Sequence, residues 1–132
     1  MENNEREKIA AIKECLIEYV GPIYICGEIF DLNADSLTII HADMPKEELI
    51  ILNNHYPEWI KRVINNENKK NVLLIKDFDK ISLEDQKLFV DIICKNRVSS
   101  ELLPENLKIM INSNERCSLI PEIREVIQYF EV

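Results

Sequence analysis

The sequence predicts an α/β fold, a mainly parallel five-stranded sheet flanked by helices, on three observations. Short aliphatic runs recur at residues 22–27, 36–42, 71–78, 107–112 and 129–132. Helix-like stretches lie between most of them, at 4–20, 43–65, behind Ser82 and at 121–127. Finally, 132 residues with 46% hydrophobic and 30% charged side chains form one domain, 1–132, large enough to bury its own core.

Residues 4–20 place Ile9, Ile12, Leu16 and Tyr19 on one face of a helix. Gly21-Pro22 stops it, because proline cannot continue the hydrogen-bond ladder and pushes the preceding residue out of helical geometry. Residues 22–27 are nearly all apolar and rich in β-branched and aromatic side chains, as in a buried strand. Asp31, Asn33 and Asp35 supply turn chemistry ahead of a second strand at 36–42. Over 43–65 the helical pattern is interrupted. Asp43 is placed to cap a first piece ahead of Pro45, and Pro57 to begin a second piece at its first turn. Ile50, Ile51, Leu52, Ile60, Val63 and Ile64 form the buried faces.

A polar loop at 66–70 leads to the clearest strand, 71–78, with four consecutive aliphatics. Ser82 and Asp85 have the spacing of a capping box, in which each side chain satisfies a free backbone donor. The helix behind them carries Leu88, Phe89, Ile92 and Ile93 on one face. A loop at 98–106, a strand at 107–112, a short helix at 121–127 and a last strand at 129–132 complete the chain. Buried strands joined by helical crossovers imply parallel pairing.

The net charge of −8 argues against direct binding of nucleic acid or anionic lipid. The basic pairs Lys61-Arg62 and Lys69-Lys70 read as a solvated face. No apolar run approaches the ~20 residues that span a bilayer. The acidic, polar start is the opposite of a signal peptide, so a cytoplasmic location is expected. Cys15, Cys26, Cys94 and Cys117 are widely spaced, lack a C-x-x-C pair and lie far in sequence from His41 and His55. Neither metal nor cofactor is expected on that basis, and three of the thiols lie in apolar runs that suit burial.

From Asn71 onward the order of features resembles AAA+ ATPases. Leu73-Leu-Ile-Lys-Asp-Phe-Asp-Lys-Ile81 is similar to the Walker B strand, normally several aliphatics followed by Asp-Glu. The capped helix from Ser82, with Gln86 in its first turns, resembles the helix that follows it. Residues 103–114 resemble the approach to the sensor-1 strand, with Asn114 at the sensor position. Residues 119–132 resemble the stretch of clamp-loader subunits that runs through their Ser-Arg-Cys motif into the last core strand. Clamp-loader subunits and MoxR-like chaperone ATPases are the nearest in texture. The resemblance covers about half the chain by motif and the N-terminal half by topology.

It also exposes what is missing. ATP binding in this fold uses a Gly-rich loop whose amides cradle the phosphates, with Lys and Ser/Thr opening the next helix. Here the first strand runs into Cys26-Gly-Glu-Ile-Phe-Asp-Leu-Asn-Ala-Asp35, and Glu28 and Asp31 would repel a polyphosphate. Only eight residues separate Gly27 from Ser36, against the roughly 20 that such a loop and helix need. Lys76 falls where the family places its magnesium-coordinating Asp, and Asp77 where it places the catalytic Glu. Val126 falls at the arginine of the Ser-Arg-Cys motif, with Arg124 two residues earlier as a weak substitute.

The remaining candidates have simpler structural readings. Asp77 and Asp79 fit a metal or general-base pair, but acids at a strand's carboxyl end more often satisfy loop amides. Asn114 more often fastens two strand ends than senses a nucleotide. His41 ends its strand at the surface with no recognisable Ser or Asp partner, and Trp59 reads as a core anchor. The expectation is therefore a non-catalytic AAA+-like module that hydrolyses no ATP. It would work by binding protein, whether AAA+ ATPase subunits, a DNA-replication complex or further copies of itself. The alternatives are an unorthodox nucleotide-binding protein and an unrelated α/β regulatory domain. An AAA+ core places the strand at Leu107 between those at Ile23 and Val72, whereas a receiver-like sheet does not.

Overall fold

The computed structural model describes residues 21–28 and 34–131; the helix expected at 4–20 and much of the first turn lie outside these described residues. The strands among the described residues are β1 (Ile23–Cys26), β2 (Ser36–His41), β3 (Asn71–Lys76), β4 (Arg97–Val98), β5 (Glu101–Leu102), β6 (Lys108–Ser113) and β7 (Gln128–Glu131). Five of them form one parallel sheet in the order β2-β3-β6-β1-β7. The strand that begins beyond Leu107 thus lies between the first strand and the one at Asn71.

Period-two alternation sends successive side chains of each strand to opposite faces. On one face Tyr24, Leu73, Ile75 and Ile111 join a core with Ile60, Val63, Phe78, Phe89, Ile92 and Ile123 from the helical segments. Phe78 and Phe89 meet edge to face, with ring centroids 5.6 Å apart. On the other face Ile23, Ile25, Val72, Leu74 and Met110 form a second cluster. Among the described residues that cluster receives only Ala34, Leu37 and Phe130, and no helix.

The helices are α1 (Lys46–Leu49), α2 (Glu58–Asn65), α3 (Leu83–Gln86), α4 (Val90–Lys95) and α5 (Pro121–Arg124). Several sequence expectations need correction. Asp43 caps nothing: Pro45 holds the N-cap of α1, without a side-chain bond, and the chain leaves the helix at Ile50. Pro57 is the N-cap of α2 rather than its first residue. The strand expected at 71–78 ends at Lys76, because Asp77 turns into the left-handed region at φ 61 and Phe78–Lys80 form a 3-10 turn. Ser82 does accept the Asp85 N–H, at 3.1 Å. The helix it opens is broken by a second 3-10 turn at Lys87–Phe89. The loop at 98–106 contains the β4–β5 hairpin, and α5 stops at Arg124 instead of continuing to Ile127.

Trp59 anchors the core as expected, 5% exposed with its indole N–H donating to the Leu49 carbonyl at 3.2 Å. Of the described cysteines only Cys26 is buried; Cys94 and Cys117 are half-buried. No helix among the described residues is long and apolar enough to cross a membrane.

Candidate functional site

In an open parallel sheet, ligand chemistry gathers at the carboxyl ends of the strands, where loops diverge. Three features meet there. The first is the β1–β6 boundary. Gly27 leaves β1 with φ 121, a conformation that costs glycine little, and its N–H donates to the Ser113 carbonyl at 2.8 Å. Asn112, 4% exposed, donates its side-chain amide to the carbonyls of Ile25 at 2.9 Å and Gly27 at 2.8 Å. The residue that fastens the two strand ends is therefore Asn112, and the sequence expectation for Asn114 is two positions off. Asn114 itself is exposed.

The second feature is the Tyr24 hydroxyl. It lies 2.6 Å from Ser113 Oγ and 3.3 Å from Cys117 Sγ, and it accepts the Cys117 N–H at 3.1 Å. Burial, with the Cys117 contact second, pushes its pKa up to about 12. Gln86 holds the same loop from the other side. Its Nε2 donates to Ser118 O at 2.8 Å and its Oε1 accepts the Ile120 N–H at 2.9 Å. A buried amide with donor and acceptor both satisfied is a structural clamp.

The third feature was not legible in the sequence. β2 and β3 pair so that His41 lies opposite Lys76. The left-handed turn at Asp77 then brings its carboxylate to the imidazole, with His41 Nδ1 2.5 Å from Asp77 Oδ2. The other oxygen, Oδ1, is 3.4 Å from Lys80 Nζ. The His41 bond first, and Lys80 after it, hold the Asp77 carboxyl below the usual range against an opposing desolvation effect.

Ligand-capable atoms of His41, Asp43 and Asp77 lie within 4.8 Å of one another, close enough to share one cation. One imidazole nitrogen and two carboxylates suit a divalent transition ion, while Lys80 sets a positive charge against the same carboxylate. His41 and Asp43 are thus the residues that sequence reasoning missed, and the expectation that His41 lacks an acidic partner is overturned. The signal was the register: only a parallel pairing of 36 with 71 brings residue 41 beside 77.

Lys76 is half-buried at the end of β3, beside this pair and not part of it. Asp79 lies in the adjacent turn, with its Oδ1 buried and unpartnered. Val126 and Arg124 are both exposed.

The Asp77 pair makes a testable prediction. A carboxyl whose folded-state pKa is depressed adds stability above its unfolded pKa of about 3.9 and loses it as pH falls through the folded value. The stability gap between the native chain and Asp77→Asn is expected to close as pH falls from neutrality to below about 4. Asparagine tolerates the left-handed backbone, so the comparison isolates the charge. Urea midpoints measured across that range check it, and a gap that persists at the acid end refutes it.

No known protein-family model matches the chain, and no curated protein matches it.

Proposed function

We propose that this protein is a non-catalytic module on the AAA+ plan that acts by binding other proteins, with active AAA+ ATPase subunits or a DNA-replication complex as the expected partners. The observation that carries this reading is the strand order β2-β3-β6-β1-β7, combined with a first strand that runs into Gly27-Glu28 with no phosphate loop behind it. Two further details favour it. The Asn112 amide ties down the Gly27 carbonyl, where a phosphate loop would have to open away from β1. Asp77, at the position of the family's catalytic Glu, is committed to His41 and Lys80.

Calorimetric titration with ATP and magnesium is expected to give no binding heat. Micromolar binding that disappears in Asp77→Ala would overturn the reading and favour an unorthodox nucleotide site. In the complementary experiment, affinity capture from lysate of the source cell should recover an AAA+ ATPase or replication proteins. Recovery of the bait alone counts against the module reading and points to a self-contained or homo-oligomeric protein.

A further inference from the structure

We propose that the free edge of β2, with the groove between it and α2, is a docking site for an extended segment of a partner polypeptide. That segment would place an apolar residue over Ile39 and a basic residue toward Glu47 and Glu48. The inference rests on the reading of the chain as a protein-binding module and names the surface and the kind of partner.

The backbone of β2 is the first argument. Among the described residues it is an outer strand, with β3 on one side only. The Ser36 N–H donates to Lys70 O at 3.0 Å and the Ala42 N–H to Lys76 O at 2.8 Å, so the even-numbered residues face β3. Alternation turns the N–H and C=O groups of Leu37, Ile39 and His41 outward. Both ends of that outer row are closed. Arg62 Nη2 donates to Leu37 O at 3.4 Å, the Met44 N–H donates to His41 O at 3.1 Å, and the His41 N–H meets Met44 Sδ at 3.2 Å. Ile39 sits between these closures with its side chain 48% exposed. Open outward groups at the centre of an edge strand are the template on which another extended chain pairs.

The groove is the second argument. It holds about 960 Å³ between Leu37–Ile40 and the flank of α2, with Trp59 and Arg62 in its wall. Thr38 lines it at 3% exposure, and its hydroxyl oxygen is buried with no hydrogen-bond partner. A buried hydroxyl without a partner is costly to keep.

Charge selects the occupant. Five charged side chains line the groove: Glu47, Glu48, Glu58, Lys61 and Arg62. Lys61 lies 3.8 Å from Glu58, and among the described residues neither Glu47 nor Glu48 has an ion-pair partner, so acids outnumber bases three to two along the groove. A basic residue fits there. A second copy of this chain would bring its own Glu47 and Glu48 and a net charge of −8, so a heterologous segment is favoured.

The test is to pan the full chain against a displayed library of random twelve-residue peptides. Enriched peptides are expected to alternate apolar and polar residues and to carry Lys or Arg toward one end. Their affinity should fall at least tenfold in Ile39→Lys and in Ile39→Pro. Proline removes only an outward-facing N–H and leaves the β2–β3 ladder intact. If that chain does not fold, Ile39→Lys decides, its fold checked by circular dichroism and melting temperature. Bound peptide should also slow hydrogen exchange at the Ile39 amide.

Failure to enrich above an unrelated bait overturns the proposal, as do enriched peptides indifferent to Ile39→Lys. A dimer in sedimentation that Ile39→Lys dissolves assigns the edge to a second copy and also overturns it. The two readings fail separately. An AAA+ partner captured equally well by Ile39→Lys sinks the docking site alone, whereas ATP binding sinks the module reading alone.

Discussion

Phe78→Ala is expected to destabilise the fold by about 3–5 kcal/mol, the largest effect of any single truncation considered. The ring is fully buried and packs edge to face on Phe89, a geometry that adds about 0.5–1.5 kcal/mol beyond area burial. Its position magnifies the loss. Phe78 follows the left-handed residue Asp77 and opens the 3-10 turn, so its burial holds that strained backbone in place. Urea unfolding measures the cost, and Phe78→Leu should recover much of it. Because the two rings touch, Phe78→Ala combined with Phe89→Ala should cost less than the sum of the single changes. A loss below about 1 kcal/mol for Phe78→Ala would mean the cavity collapses and the turn is not held by this ring.

Asn112→Ala comes second, at about 2–3 kcal/mol, since two carbonyls lose their buried amide donor. Asn112→Asp should be worse at neutral pH, because a carboxylate only accepts and would face two carbonyl oxygens. Burial raises the pKa of such a carboxyl, so the stability of the Asn112→Asp chain should recover as pH falls and the group protonates. Denaturant midpoints at pH 4 and pH 7 distinguish the cases. Equal midpoints for Asn112→Asp and Asn112→Ala at both values would show that the amide contributes little.

These two residues mark the limit of what the sequence conveys. The strand at Asn71, with four aliphatics in a row, identifies itself, and so do the Ser82 cap and the burial of Trp59. Phe78 reads as a continuation of that strand because its hydrophobicity is the same in strand or turn. The bend at Asp77 goes with tertiary contacts, Phe78 on Phe89 and Asp77 on His41 and Lys80, that the local pattern does not show. Asn112 lies in β6 and Asn114 just past its end, and choosing between the two asparagines needs the register with β1. The His41–Asp77 pair is invisible for the same reason: thirty-five residues of chain separate partners that only strand pairing unites. Local pattern carries the elements, and long-range register carries the site.

That same pairing has a consequence for how the chain is made. β1 is flanked by β6 and β7, whose paired residues leave the ribosome 87 and 105 positions later (Ile23 with Met110 and with Gln128). Until then Ile23 and Ile25 have neither neighbour, and the middle of the sheet stays an open slot. Contacts so distant along the chain close slowly. A translation pause before residue 108 would leave β2 and β3 able to pair while β1 waits, apolar and unpaired on both edges, in a form prone to aggregate. Assembly is therefore committed late in synthesis, by the arrival of β6 between two strands already present.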